Sequence, residues 1–162
     1  LVPLGLLHGV RDNKLMSMKK KVQVVIAGLD KSSGTYKILL LMTNEKRGSF
    51  WQNVTGSVEK NESEEAAALR EVMEETGLKL EDVVDLIDLK LIHHFTDSRD
   101  KKCQEYSFLL ITDKQWKIKI DPHEHQESHW CEIDKLSIHS VKYDTNWETL
   151  QKAIKLIKRY VV

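Results

Sequence analysis

Apolar residues crowd two early segments of the chain and then thin into regular spacings. Val22 to Leu29 ("VQVVIAGL") is rich in β-branched residues and stops at Asp30-Lys31-Ser32-Ser33-Gly34, which predicts a strand followed by a turn. Tyr36 to Met42 ("YKILLLM") predicts a second buried strand, so the pair is expected to form a hairpin. Phe50 to Val58 predicts a third, short strand that breaks at Gly56. From Asn61 the pattern changes to a helical period. Asn61 is a plausible N-cap, Glu62 to Thr76 is the expected helix, and Gly77 stands where a helix should stop. Strands are expected again over Val83–His94, Gln104–Thr112, Trp116–Ile120 and His129–Ile133. A closing helix is expected over Asn146–Arg159, with Leu150, Ile154 and Ile157 at helical spacing. The architecture implied is α+β, with helices packed on a mixed sheet.

The first helix carries an anomaly. "REVMEETG", residues 70 to 77, places Glu71, Glu74 and Glu75 within about 100° of one another on the helical wheel. Like charges at such spacings repel. Arg70 is the one basic residue between Asn61 and Leu78, so compensation is sparse. Ala66, Leu69, Val72 and Met73 are expected to face the core. Clustered carboxylates make physical sense around a hard divalent cation, and Mg²⁺ in particular takes few carboxylates together with water and substrate phosphates. Gly56, just upstream, permits close approach of the backbone to a ligand.

The full spacing is Gly56, five residues, Glu62, seven residues, then Arg70-Glu71-Val72-Met73-Glu74-Glu75-Thr76-Gly77-Leu78. It resembles the Nudix box, GX5EX7REUXEEXGU with U apolar, at every fixed position. Seven such identities at typical residue frequencies arise by chance on the order of once in a million chains. The resemblance implies an α/β/α sandwich around a mixed sheet. It also implies hydrolysis of a diphosphate linkage with Mg²⁺ or Mn²⁺. It assigns Glu71, Glu74 and Glu75 to the metal, the Gly56 carbonyl to an additional ligand position, and Arg70 with Glu62 to an ion pair that orients the helix. A later acidic residue is often recruited in relatives. Glu124 in "HEHQESHW" is the candidate and Glu127 the alternative. The proton acceptor is expected among Glu74, Glu71 and Glu124.

"FWQNVTGSVE", residues 50–59, narrows the resemblance. Together with "EYSFLL", Glu124-His125 before Trp130 and the late "NW", it is similar to the bacterial pyrophosphohydrolases of dihydroneopterin triphosphate. The substrate then expected is a pterin or nucleoside triphosphate, cleaved to the monophosphate and pyrophosphate. The alternatives are a general (d)NTP or RNA 5′-end pyrophosphohydrolase, and a non-catalytic module that senses a nucleotide. Trp51 and Phe50 are candidates for stacking on the base, with core packing as the competing reading. Lys46 and Arg47 are candidates for phosphate contact, as are Arg99, Lys101 and Lys102 more weakly. The histidines are expected on the surface or, for His94 and His125, in the substrate cleft.

Composition narrows the remaining classes. The 162 residues fit one domain, with 41% hydrophobic, 31% charged and a formal net charge of zero. That balance offers no electrostatic basis for a stable nucleic-acid or membrane-surface partner. No apolar run approaches the roughly 20 residues of a membrane span. Cys103 and Cys131 form neither a disulfide framework nor a CxxC pair, which suits a cytoplasmic setting. Histidines at 93, 94, 123 and 125 show no zinc spacing. Residues 1–19 read as an extension or expression remnant, and 20–162 as the hydrolase domain. A small-molecule triphosphate is the expected partner, with the protein a monomer or homodimer.

Overall fold

The computed structural model describes residues 18–160. Residues 1–17 of the expected extension lie outside them, while Lys19 begins the first strand and pairs with Cys103. The described residues form one seven-stranded sheet: β1 (Lys19–Asp30), β2 (Thr35–Thr43), β3 (Trp51–Gln52), β4 (Val54–Ser57), β5 (Val83–Thr96), β6 (Lys102–Thr112) and β7 (His125–Glu132). Two helices pack on it, α1 (Glu64–Thr76) and α2 (Asp144–Ile157).

β1 is the axis of the sheet. One edge runs parallel to β6 from Lys19↔Cys103 to Gly28↔Thr112. The other is shared by two antiparallel partners, β4 along Lys21–Val24 and β2 along Ile26–Asp30. β2 in turn pairs with β3 through Leu41 and Met42, and with β7 along its far edge. The β3–β4 segment is therefore wedged into the fork where β1 and β2 separate, and β5 closes the sheet beyond β6.

Alternation along β1 fills two cores. Val22, Val24 and Ile26 join Leu39, Leu41 and Phe108 beneath Ala67, Ala68 and Val72 of α1. Val25 and Ala27 join Ile38, Leu40 and Leu109 beneath Leu150, Ala153 and Ile157 of α2. Both faces of β1 are covered, which is why its sequence reads as continuously apolar. The α/β/α sandwich implied by the resemblance is the fold observed.

Several local expectations need correction. The third strand breaks at Asn53, not at Gly56, because Asn53 is where the chain leaves β2 for β1; Gly56 lies inside β4, opposite Val22. The helix starts two residues late: Ser63 is the N-cap, accepting from the Ala66 amide at 3.1 Å, while Asn61 adopts a left-handed turn conformation. On α1, Ala66 and Met73 are exposed, and Ala67, Ala68, Val72, Glu75 and Thr76 are buried instead. Residues 116–120 form no strand despite their alternation. They pair with no described strand. The Trp116 indole and the Lys119 amide bond the Thr76 carbonyl at the end of α1, at 3.0 and 3.1 Å, and Trp116 and Ile118 cap the α1-side core. The last helix spans Asp144–Ile157, a shift of two residues from its expected bounds.

Candidate active site

The helix α1 turns its acidic face toward β4 and the loop before β7. Arg70 organises it. Its Nε and Nη2 donate to the two oxygens of Glu62 at 2.8 and 2.9 Å, and Nη2 also donates to the Ser57 carbonyl at 2.8 Å. This forked pair holds Glu62 down to about 2. Nη1 reaches Glu71 at 2.9 Å and Glu74 at 3.3 Å. The guanidinium thus ties β4, the turn before α1 and the helix face into one unit.

The three box glutamates occupy different environments. Glu74 is more than half exposed. Glu71 is largely covered, and burial raises its carboxyl above the usual range. Gly56 makes this possible: a Cβ there would run into the Glu71 side chain. Glu75 is 4% exposed, and its Oε2 has no hydrogen-bond partner among the described residues. Burial, then the charges of Glu124 and Glu71, push its carboxyl up to about 9.

Glu124 arrives from the loop before β7. The loop is stitched to the turn after β2, with Asn44 Nδ2 donating to the His123 carbonyl at 2.9 Å and the Asn44 amide to the Glu124 carbonyl at 3.0 Å. Ligand atoms of Glu75, Glu124 and His125 lie within 4.8 Å of one another. Glu127 does not join them. It stands opposite Met42, in register with Trp51, on the α2 side of the sheet.

A buried carboxylate with a bare oxygen, a second carboxylate beside it and a glycine that clears space for Glu71 together fit a divalent cation near Glu75 and Glu124. Arg47 supplies part of the missing positive charge, donating to Glu124 at 3.2 Å. It was expected to face phosphate and is found on a carboxylate. Lys46 is exposed beside it.

The candidate stacking residues lie elsewhere. Trp51 sits on the α2 side, its ring 6.4 Å from that of His129. It lines a cleft of ≈ 280 Å³ with Leu40, His129, Cys131 and Leu136. Phe50 packs edge-on against Tyr143 at 5.4 Å, with the Lys142 ammonium 4.6 Å from its centre. His94 is exposed on β5, whereas His125 is 1% exposed and beside the carboxylates. One contact had no sequence signal of its own: Gln52 meets His125 Nε2 at 3.2 Å. Its partners are separated by more than seventy residues, although each belongs to a segment the sequence singled out.

A mixed sheet between two helices, with an arginine-braced acidic helix beside a buried carboxylate, defines the Nudix class of fold. The chain matches the NUDIX domain over residues 19–155 and belongs to that family as a Nudix hydrolase domain. Among curated proteins it is 25% identical to the dihydroneopterin triphosphate diphosphatase of Haemophilus influenzae, over 90% of this chain and 94% of that one. It is 46% identical to the octanoyltransferase of Myxococcus xanthus over 59 residues, 36% of this chain and only 15% of that protein. Among solved structures, the dihydroneopterin triphosphate pyrophosphohydrolase of E. coli superposes with a TM-score of 0.68 at 26% identity, covering 88% of this chain and 99% of that one. The Ap4A hydrolase of C. elegans superposes at 0.70 and 24% identity, with 88% and 100% coverage, a likeness of fold.

Proposed function

We propose that the protein cleaves a pterin or nucleoside triphosphate, foremost dihydroneopterin triphosphate, to the monophosphate and pyrophosphate with Mg²⁺ or Mn²⁺. One observation carries this reading. Trp51 and Gln52 are consecutive on β3 and point to opposite faces of the sheet. Trp51 lines the flat apolar cleft, and Gln52 touches His125 beside the carboxylates. The two residues thus border a cleft on the α2 side and a cluster suited to phosphate chemistry on the α1 side. The whole-length likeness to two proteins named for dihydroneopterin triphosphate supports the same substrate.

Glu75, Glu124 and Glu71 would hold a divalent cation, which when bound would offset charge on the phosphates and lower the pKa of a water. The residues do the rest. Arg70 fixes the carboxylates. The Gly56 carbonyl would serve as a further oxygen donor. Glu124, or else Glu71 or Glu74, accepts the water's proton on a carboxylate oxygen. Trp51 stacks on the ring, and Phe50 braces the entrance. Lys46 and Arg47 receive phosphate oxygens once Arg47 leaves Glu124. Both products are small and soluble, in keeping with a cytoplasmic enzyme. No described helix is long and apolar enough to cross a membrane.

The test is a panel of triphosphates with Mg²⁺ or Mn²⁺, with products resolved by chromatography. Pyrophosphate release fastest from the pterin is the expected result. Preference for nucleotides or RNA ends would assign the general pyrophosphohydrolase instead, and no release from any substrate would assign a sensor. Glu75→Gln and Glu74→Gln should each lower turnover at least about a hundredfold.

A further inference from the structure

The carboxylates of α1 and Glu124 offer a cation oxygen alone. His125 stands among them with a nitrogen that nothing uses. Its ring is 1% exposed, and its Nδ1 has no hydrogen-bond partner among the described residues. Glu75 Oε2 is likewise without a partner among the described residues, and one ligand atom each of Glu75, Glu124 and His125 falls within 4.8 Å of the others. Donors at about 2.0 to 2.3 Å from one ion are separated by up to about 4.5 Å, so small side-chain movements bring all three into one shell.

A ring nitrogen that carries hydrogen cannot bind a cation. The neutral imidazole has one such hydrogen, and the opposite nitrogen decides where it sits. Gln52 is placed to decide it, with its amide 3.2 Å from Nε2. With the amide oxygen turned to the ring, Gln52 accepts Nε2–H and leaves Nδ1 with a free lone pair. Gln52 has no other hydrogen bond among the described residues that would oppose this half-turn. Ligating histidines characteristically donate their second nitrogen to such a partner.

We propose that His125 is a metal ligand through Nδ1, completing with Glu75 and Glu124 a mixed oxygen–nitrogen position that favours Mn²⁺ or Co²⁺ over Mg²⁺. Mg²⁺ selects oxygen and water, whereas imidazole strengthens binding of the later divalent ions. Gln52 becomes a positioning residue.

The inference rests on the carboxylates being a cation site, and pulsed EPR of the Mn²⁺-loaded full chain separates the two claims. Modulation from a coordinated imidazole nitrogen is expected in the parent and should vanish in His125→Ala. Co²⁺ affinity should fall about 10–100-fold in that variant, with Mg²⁺ affinity changed far less. Mn²⁺ bound without nitrogen modulation in the parent overturns the role of His125 and leaves the carboxylate site standing. Equal loss of Co²⁺ and Mg²⁺ affinity in His125→Ala overturns it as well. Failure of the parent to bind Mn²⁺, or unchanged Mn²⁺ affinity in Glu75→Gln, removes the carboxylate site itself. Should His125→Ala not fold, the parent spectrum alone decides.

Discussion

Glu75 occupies a position that no folding argument would choose. It is buried against Glu124 and Glu71 with a bare oxygen, and its pKa is pushed up to about 9. Replacing it with glutamine keeps the volume and removes the repulsion. Glu75→Gln should therefore melt no lower than the parent in EDTA, and the stabilisation that divalent cations give the parent should be lost. Calorimetry with and without cation checks both. Glu105 gives an independent titration. It is 4% exposed, and burial raises its carboxyl above the ordinary 4.5, while Gln23 donates to it at 2.7 Å. The folded chain then holds a proton that the unfolded chain has released. The stability this contributes is complete below the unfolded value and declines as pH rises through the folded one. Glu105→Gln, which still accepts from Gln23, should flatten denaturant midpoints measured as pH rises from the ordinary carboxyl value of 4.5. A slope equal to the parent's would place the titration elsewhere.

At the scale of elements, the acidic helix works only because β4 presents a glycine to it. Gly56 needs no unusual φ, so alanine fits the strand, but its Cβ meets Glu71. Gly56→Ala should lower turnover by an order of magnitude or more while circular dichroism stays unchanged. Retained activity would mean that Glu71 moves freely. The loop before β7 is tested by a pair of variants. Glu124→Ala should cut kcat with a smaller effect on KM, and Glu127→Ala should be mild, since Glu127 faces the α2 side. The reverse result would shift the loop's role by three residues. The box itself was legible because its spacing is local and each residue type has one chemical use. Which glutamate is buried was not legible. The wheel placed Ala66 and Met73 inside, yet the partner surface decides the face, and β4 and Glu124 come from elsewhere in the chain. Residues 116–120 failed for a similar reason: alternation describes which side chains are covered, and hydrogen bonding to a neighbour is what makes a strand.

For the whole molecule, the two-layer covering of β1 was readable from its unbroken apolar run, and so was the sandwich. The pairing of distant segments was not. Arg47 with Glu124 and Gln52 with His125 are contacts that only the closed sheet creates. Deleting residues 1–17 should leave turnover largely intact, because the first strand starts at Lys19; loss of soluble protein would show that the segment packs against the domain. The position of β1 has a further consequence, for synthesis. Its partners on one edge follow soon after it, and β4 is complete by Ser57. Its other edge waits for β6, which ends at Thr112. While the ribosome makes the intervening residues, at about 5–20 per second, "VQVVIAGL" presents an unpaired, uncharged, β-branched ribbon for several seconds. The nascent chain is most exposed to self-association in that interval, and a chaperone that recognises extended apolar segments would find its binding site there.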